Sequence, residues 1–227
     1  KIIEAKRTRV EAAKRLSGLR TVQPLSQQFR LSQALSNSSG PHIIAEFKRA
    51  SPSRGVINDS LKPEQAAASY CDGGAVAISV LTEEDFFQGS LDDLRSIREV
   101  VALPILRKDF IIDEFQIRES AAAGADAILL IVAALSIDEL ASFHSLANEL
   151  GLDALVEVHS EKEMETAVAI GSNLIGVNNR DLLTFEVSLD VSRQLIKQAP
   201  PEATLISESG IKSRHDISEL FDLGYSG

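Results

Sequence analysis

The chain has 227 residues, of which 33 are acidic and 23 basic, for a formal charge of −10; this excludes an extended nucleic-acid surface, which needs clustered Lys and Arg, but leaves room for a local cationic pocket. With 44% hydrophobic residues, few aromatics, no Trp and the single cysteine Cys71, the composition predicts a globular domain with an aliphatic core, no disulfide framework and a reducing, cytoplasmic setting. The longest strongly apolar stretch, residues 127–135, is far short of the roughly 20 residues of a membrane span, and residues 1–18 are charged throughout, unlike a secretory signal.

The first 42 residues stand apart. Ile2, Ile3, Val10 and Leu16 have helical spacing among Lys and Arg, and Phe29, Leu31 and Leu35 predict a second short helix stopped by Asn37-Ser38-Ser39-Gly40-Pro41. Residues 1–42 thus read as an N-terminal helical extension to a main domain over 43–227. From Ile43, short aliphatic strands alternate with helices. Strands are expected over 43–47, 75–80, 104–107, 127–131, 154–158, 174–177 and 204–207. Helices are expected over 63–71, 91–100, 113–123, 136–150, 161–170, 189–198 and 216–223. Ser136 with Glu139 three residues on has the form of a capping box, and Gly73, Gly124, Gly151, Gly171 and Gly224 are placed as helix-ending residues in the left-handed conformation.

This is the βαβ rhythm of a parallel α/β fold. A doubly wound sheet would show a glycine fingerprint after its first strand, where this chain has Lys48-Arg49-Ala50-Ser51-Pro52-Ser53-Arg54-Gly55. Polar residues stand instead at the C-terminal ends of most strands, where a (β/α)8 barrel puts its chemistry.

Glu46 and Lys48 share one side of the first strand; they read equally as a structural pair and as chemistry. Ser51-Pro52-Ser53 could hold phosphate through hydroxyls and backbone N–H groups, or be a plain turn. Alternation sends Leu106 and Lys108 to one side of the third strand and Arg107 to the other; Lys108 reads equally as a solvated rim charge and as a general acid whose pKa a semi-enclosed apolar site would lower. Glu157, amid strand aliphatics, needs a partner or a use. His159 reads as a loop or surface histidine, and the four histidines lack zinc-ligand spacing with Cys71 or each other. Asn178-Asn179-Arg180-Asp181 ends the sixth strand as a substrate-contacting loop or a capped turn. Ser207-Glu208-Ser209-Gly210 ends the seventh, where barrels often hold phosphate. Together these describe acid/base chemistry on a small anionic, phosphorylated substrate.

Ile44-Ala45-Glu46-Phe47-Lys48-Arg49-Ala50-Ser51-Pro52-Ser53 resembles the first-strand signature of the indole-3-glycerol phosphate synthases. Ser79-Val80-Leu81-Thr82, Phe87-Gln88-Gly89-Ser90, Arg107-Lys108-Asp109-Phe110, Gly176-Val177-Asn178-Asn179-Arg180-Asp181-Leu182 and Ser207-Glu208-Ser209-Gly210-Ile211 follow in that family's order. The resemblance implies a (β/α)8 TIM barrel that converts 1-(2-carboxyphenylamino)-1-deoxyribulose 5-phosphate to indole-3-glycerol phosphate, CO₂ and water in tryptophan biosynthesis, without cofactor or metal. It implies Lys108 as the acid of ring closure, Glu157 and Lys48 as candidate acids for dehydration, and Glu46 as the base. It places Ser51, Ser209 and Gly210 at the phosphate, and Asn178, Arg180 and Glu208 at the sugar hydroxyls and reacting centre. Phe87, Phe110, Leu129, Ile131 and Leu182 would form the aromatic ring's wall, with Pro52 nearby. The expected partners are this small molecule alone, with no nucleic acid or membrane, and the chain a monomer or weak homo-oligomer. The competing readings are another TIM-barrel enzyme, such as an isomerase, or a binding protein for a phosphorylated sugar.

Seven strand–helix units are one short of a closed barrel. Unpaired first and seventh strand edges would be exposed, so an eighth unit of roughly 25–30 residues is expected beyond Gly227.

Overall fold

The computed structural model describes residues 1–17, 22–36, 40–58, 60–182 and 184–227. Helices α1 (Ile2–Ser17) and α2 (Arg30–Ser36) precede the first strand; residues Asn37-Ser38-Ser39 of the expected helix stop lie outside the described residues. Strands β1 (Ile44–Phe47), β2 (Ala77–Leu81), β3 (Ile105–Lys108), β4 (Ala127–Ile131), β5 (Asp153–Val158), β6 (Leu174–Asn178) and β7 (Thr204–Glu208) pair in chain order as one parallel sheet. Between them run α3 (Pro63–Asp72), α4 (Leu91–Val100), α5 (Glu114–Ala123), α6 (Ile137–Glu149), α7 (Glu161–Ala169) and α8 (Asp190–Leu195), and α9 (Arg214–Leu223) follows β7. A small antiparallel ribbon, Ala50-Ser51 with Gly55-Val56, stands in the loop after β1, where the sequence suggested only a loop.

Among the described residues the sheet has seven strands and is open between β7 and β1. Ser226 and Gly227 lie in that opening. The Ser226 carbonyl accepts from His42 N at 3.0 Å and the Gly227 carbonyl from Ser207 N at 2.8 Å, while Ser226 N donates to Leu205 O at 2.8 Å.

Alternation along the strands sorts the core into layers. Leu106, Ala127, Leu129, Ile131, Leu155, Leu174 and Ile206 face the interior of the curled sheet, and Leu31 and Leu35 of α2 pack among them. Ile128, Leu130, Val156, Val158, Ile175 and Val177 face outward under α5–α8. Burying two leucines of α2 contributes about 1.5–3 kcal/mol each. The Asp153 carboxylate then accepts from Leu31 N and Ser32 N at the helix start, at 2.8 and 3.1 Å.

Serine or aspartate side chains cap α4, α5, α6, α7 and α9, with full capping boxes at Ser136–Glu139 and Ser213–Asp216. Gly124 and Gly224 end their helices in the left-handed conformation as the sequence suggests, but after α3 that role belongs to Gly74 (φ 83°), because Gly73 still carries helical angles. Among the described residues no helix is long and apolar enough to cross a membrane.

Candidate active site

The layering that puts leucines inside the sheet also puts charge at its C-terminal mouth. One step beyond Leu106, Leu155 and Ile206 on the same sides of their strands come Lys108, Glu157 and Glu208. Register sets Leu81 beside Lys108, Ile131 beside Glu157 and Asn178 beside Glu208. Arg107 points the other way, onto the α5 face, bonding Gln116 O, Ser120 Oγ and Glu119.

Lys108 Nζ is 2.7 Å from Glu208 Oε2 and 3.3 Å from Glu46 Oε2, and Glu46 also pairs with Lys48 through Oε1. Burial works against the Lys108 charge, but Glu208, Glu46 and Glu157 outweigh it and hold the ammonium well above its ordinary range. The expectation that an apolar mouth would lower this pKa is thereby corrected, since the mouth is lined with carboxylates. Glu46 is opposed by burial but held down at about 2 by Lys108 and Lys48. Burial also opposes the charge on Glu157, yet His159, Lys108 and Asn178 keep it below the ordinary carboxylate range. Glu208 goes the other way: burial, with Glu157 and Glu46 as like charges, outweighs Lys108 and pushes it up to about 7.

His159 corrects another expectation. It is no surface histidine: its side chain is 13% exposed, with Nε2 3.3 Å from Glu157 Oε1 and Nδ1 3.1 Å from Glu163 Oε2. The sequence carried a signal for it. Residues 157 and 159 share one side of a strand end, and Glu163 falls in the first turn of the following helix.

Ser51 is buried with its hydroxyl 3.4 Å from Ser53 Oγ. Ser209 and Gly210 both have positive φ, 67° and 86°; for Ser209 that is a strained backbone of the kind that clusters at ligand-holding turns. Phe87 and Phe110 sit with ring centroids 6.4 Å apart, and the Phe87 carbonyl ties its loop to Ala50 N at 3.2 Å. Leu129 and Ile131 line the interior, whereas Leu182 is 46% exposed and Pro52 is exposed on the first loop. Asn178 Oδ1 accepts from Arg180 N at 3.0 Å. The Arg180 guanidinium bonds Phe185 O within its own loop, so among the described contacts it is not drawn into the lysine–carboxylate cluster. Asn179 is a structural residue: buried, it bonds Ser207, Ser192 and the Glu208 carbonyl.

The protein-family model for indole-3-glycerol phosphate synthase matches residues 1–227. A relative of that name from Chloroherpeton thalassium is 47% identical over 232 residues, covering 99% of this chain and 89% of its own length. One from Carboxydothermus hydrogenoformans is 45% identical over 240 residues, covering 100% and 90%. The chain belongs to the indole-3-glycerol phosphate synthase family. Among solved structures, an N-acetylmannosamine-6-phosphate 2-epimerase from Clostridium perfringens superposes with TM-score 0.60 at 15% identity over 83% of this chain and 84% of its own. A thiamine phosphate pyrophosphorylase from Pyrococcus furiosus gives 0.56 at 17% over 72% and 76%. Both likenesses speak for the barrel fold alone.

As an indole-3-glycerol phosphate synthase, the chain is a carbon–carbon carboxy-lyase of tryptophan biosynthesis. It closes the indole ring of 1-(2-carboxyphenylamino)-1-deoxyribulose 5-phosphate with loss of CO₂ and water. The alternative of a different phosphosugar barrel is not favoured. One residue of the Gly176–Leu182 motif has a role at this mouth that its strand position does not show. A Cβ on Gly176 would overlap Glu208 Oε1 and lie 3.2 Å from Leu155 Cδ1. Glycine at this point of β6 is what lets the Glu208 carboxyl lie flat across the strand. Gly176→Ala is expected to swing Glu208 off Lys108 and lower kcat about 10²-fold, the size of loss that a misplacement of about 1 Å brings. Steady-state kinetics alongside a melting curve checks this; unchanged kcat in a folded variant would reject it.

Proposed function

We propose that the mouth divides the work of the reaction as follows. The ring carbon bearing the substrate carboxylate attacks the ribulose carbonyl, and Lys108 donates a proton to the oxygen where negative charge grows. The C–C bond to the carboxylate then breaks, CO₂ departs, and its electron pair restores the aromatic ring. The remaining hydroxyl leaves as water after protonation by Lys48. The adjacent ring methylene gives up a proton to complete the indole.

Glu157 suits the role of that last proton's acceptor better than the role of an acid, because His159 and Lys108 favour its ionised form. Glu46, bridging both lysines, holds the two ammonium groups in place. Glu208 orients Lys108 from the opposite side. Ser51, Ser209 and Gly210 receive the phosphate, with Asn178 and Arg180 at the sugar. Phe87, Phe110, Leu129, Ile131, Leu182 and Pro52 enclose the aromatic ring, a mostly apolar pocket with few placed polar groups.

The observation that carries this reading is Lys108 Nζ held between Glu208 and Glu46 at the ends of three strands. Residues 1–42 serve the 43–227 barrel as an extension. The chain works in the cytoplasm as a monomer or weak homo-oligomer, on this small molecule and without nucleic acid. Incubation with the carboxyphenylamino substrate tests the chemistry: indole fluorescence should rise with one equivalent of CO₂ released. A folded protein that binds the substrate and releases neither would overturn it. Analytical ultracentrifugation tests the oligomeric state, and a single tight oligomer would overturn that part.

A further inference from the structure

Outside the lysine–carboxylate cluster, β5 and α7 hold a second chain of charge. Glu163 Oε2 accepts from His159 N at 2.8 Å and lies 3.1 Å from His159 Nδ1. The other ring nitrogen, Nε2, is buried and lies 3.3 Å from Glu157 Oε1 as an ion-pair contact without an aligned hydrogen bond. Ser160 caps α7 by accepting from Glu163 N at 3.3 Å, but the Glu163 carboxylate does not fold back onto the cap amide as Glu139 and Asp216 do at α6 and α9. It reaches one residue further, to the histidine. We infer that His159 is a positioning residue for the ring-closing reaction: clamped by Glu163, it presents Nε2 to Glu157 and fixes that carboxylate at the reacting end of the substrate.

The physical case starts from the ring's two nitrogens. A carboxylate at each calls for a proton on each, which makes the ring an imidazolium. Burial opposes that charge, and Glu157 and Glu163 overcome it, pushing the histidine up to about 9. The Glu163 contact sets the ring's plane, as a carboxylate behind a working histidine does in hydrolytic triads. The remaining groups facing Glu157 are Lys108 from β3, Asn178 from β6 and Glu208 from β7. The two glutamates would repel within one buried mouth. The imidazolium gives Glu157 a positive partner of its own, so the mouth keeps this carboxylate ionised while Lys108 stays turned to Glu208 and Glu46. The long Nε2 contact leaves room to tighten when substrate fills the mouth, as catalytic contacts in ligand-free sites commonly do.

The inference rests on Glu157 taking part in the reaction, and the experiment separates the two. Glu157→Gln, His159→Leu, His159→Gln and the double variant Glu157→Gln/His159→Leu are assayed by indole fluorescence across pH 5–10, with melting curves. Glu157→Gln should lose most turnover. His159→Leu should lower kcat about 10–100-fold, the range seen when an outer partner of a working group is removed, with KM within about twofold. Losing the positive neighbour raises the Glu157 pKa, so the acid limb of the kcat profile should move to higher pH. His159→Gln keeps a donor without the charge: it should recover part of kcat and retain the displaced limb. In the Glu157→Gln background His159→Leu should add little. If Glu157→Gln is inactive while both histidine variants keep the wild-type kcat and pH profile, positioning by His159 is wrong. If Glu157→Gln itself turns over normally, the role of Glu157 fails first, and the inference falls with it. Should the leucine variant not fold, the glutamine variant's pH profile decides alone.

Discussion

Lys108→Ala should lower kcat about 10⁴-fold, the upper end of what one positioned proton donor contributes, while binding of a non-reacting phosphorylated analogue changes by less than about tenfold. The loss corresponds to about 5 kcal/mol of barrier. The upper end is expected because the same ammonium does two jobs. In the proposed mechanism it donates the proton to the developing alkoxide, and in the structure it is the positive charge on which Glu46, Glu157 and Glu208 converge. Without it, three carboxylates face one another in a largely buried mouth, and at least one takes up a proton. Glu208, already pushed up to about 7 with Lys108 in place, would take that proton first. Single-turnover indole fluorescence across pH checks this. A variant that folds, binds the analogue and turns over within tenfold of the parent would remove Lys108 from the mechanism.

The fold was legible because its signals are local. Period-two alternation sends Leu106 and Lys108 to one side of their strand and Arg107 to the other, and the structure sorts them so. Ser136 and Glu139 marked a helix start from three residues' separation. What the sequence could not show depends on strands meeting. The direction of the Lys108 pKa is set by Glu46, 62 positions before it, and Glu208, 100 positions after it; position on one strand spoke only of an apolar environment. Gly176 looked like an unremarkable strand residue, since nothing nearby in sequence says a carboxyl from β7 lies against it. His159 is the opposite case. Both its partners lie within four residues, yet a histidine just past a strand is usually solvated, so its position alone points to the surface.

The motif around Lys108 hid one more long-range dependence, with the largest expected effect on stability. Asp109→Ala should destabilise the fold by about 3 kcal/mol, the lower end of the cost of breaking a buried pair from one side. The Asp109 side chain is fully buried and receives Lys6 Nζ at 2.8 Å, Arg107 Nη2 at 3.1 Å, Thr82 Oγ1 at 2.7 Å and Phe110 N at 2.8 Å. Burial alone would raise its pKa, but Arg107 and Lys6 hold it below the ordinary range, so it stays a carboxylate in the folded protein. Its loss leaves the side chains of Lys6 and Arg107, 3% and 4% exposed, short of a shared counter-charge. Lys6 keeps Glu84 and Arg107 keeps Glu119, which is why the lower figure applies. For a chain of this size, 3 kcal/mol is a melting shift of roughly 6–12 °C. The sign with pH follows from the lowered pKa. The stabilisation is full above the unfolded carboxylate value of about 3.9 and is lost as pH falls through the lower folded value, so the wild-type and variant melting curves should converge only in strong acid. Asp109→Asn should recover part of the hydrogen bonding but not the charge, and fall between. Because Asp109 stands between Lys108 and Phe110 and is tied to α1 through Lys6, the same substitution should lower kcat even where the protein is fully folded. A variant that melts with the parent at pH 7 would show that Lys6 and Arg107 are compensated elsewhere, and would detach the N-terminal helix from the geometry of the mouth.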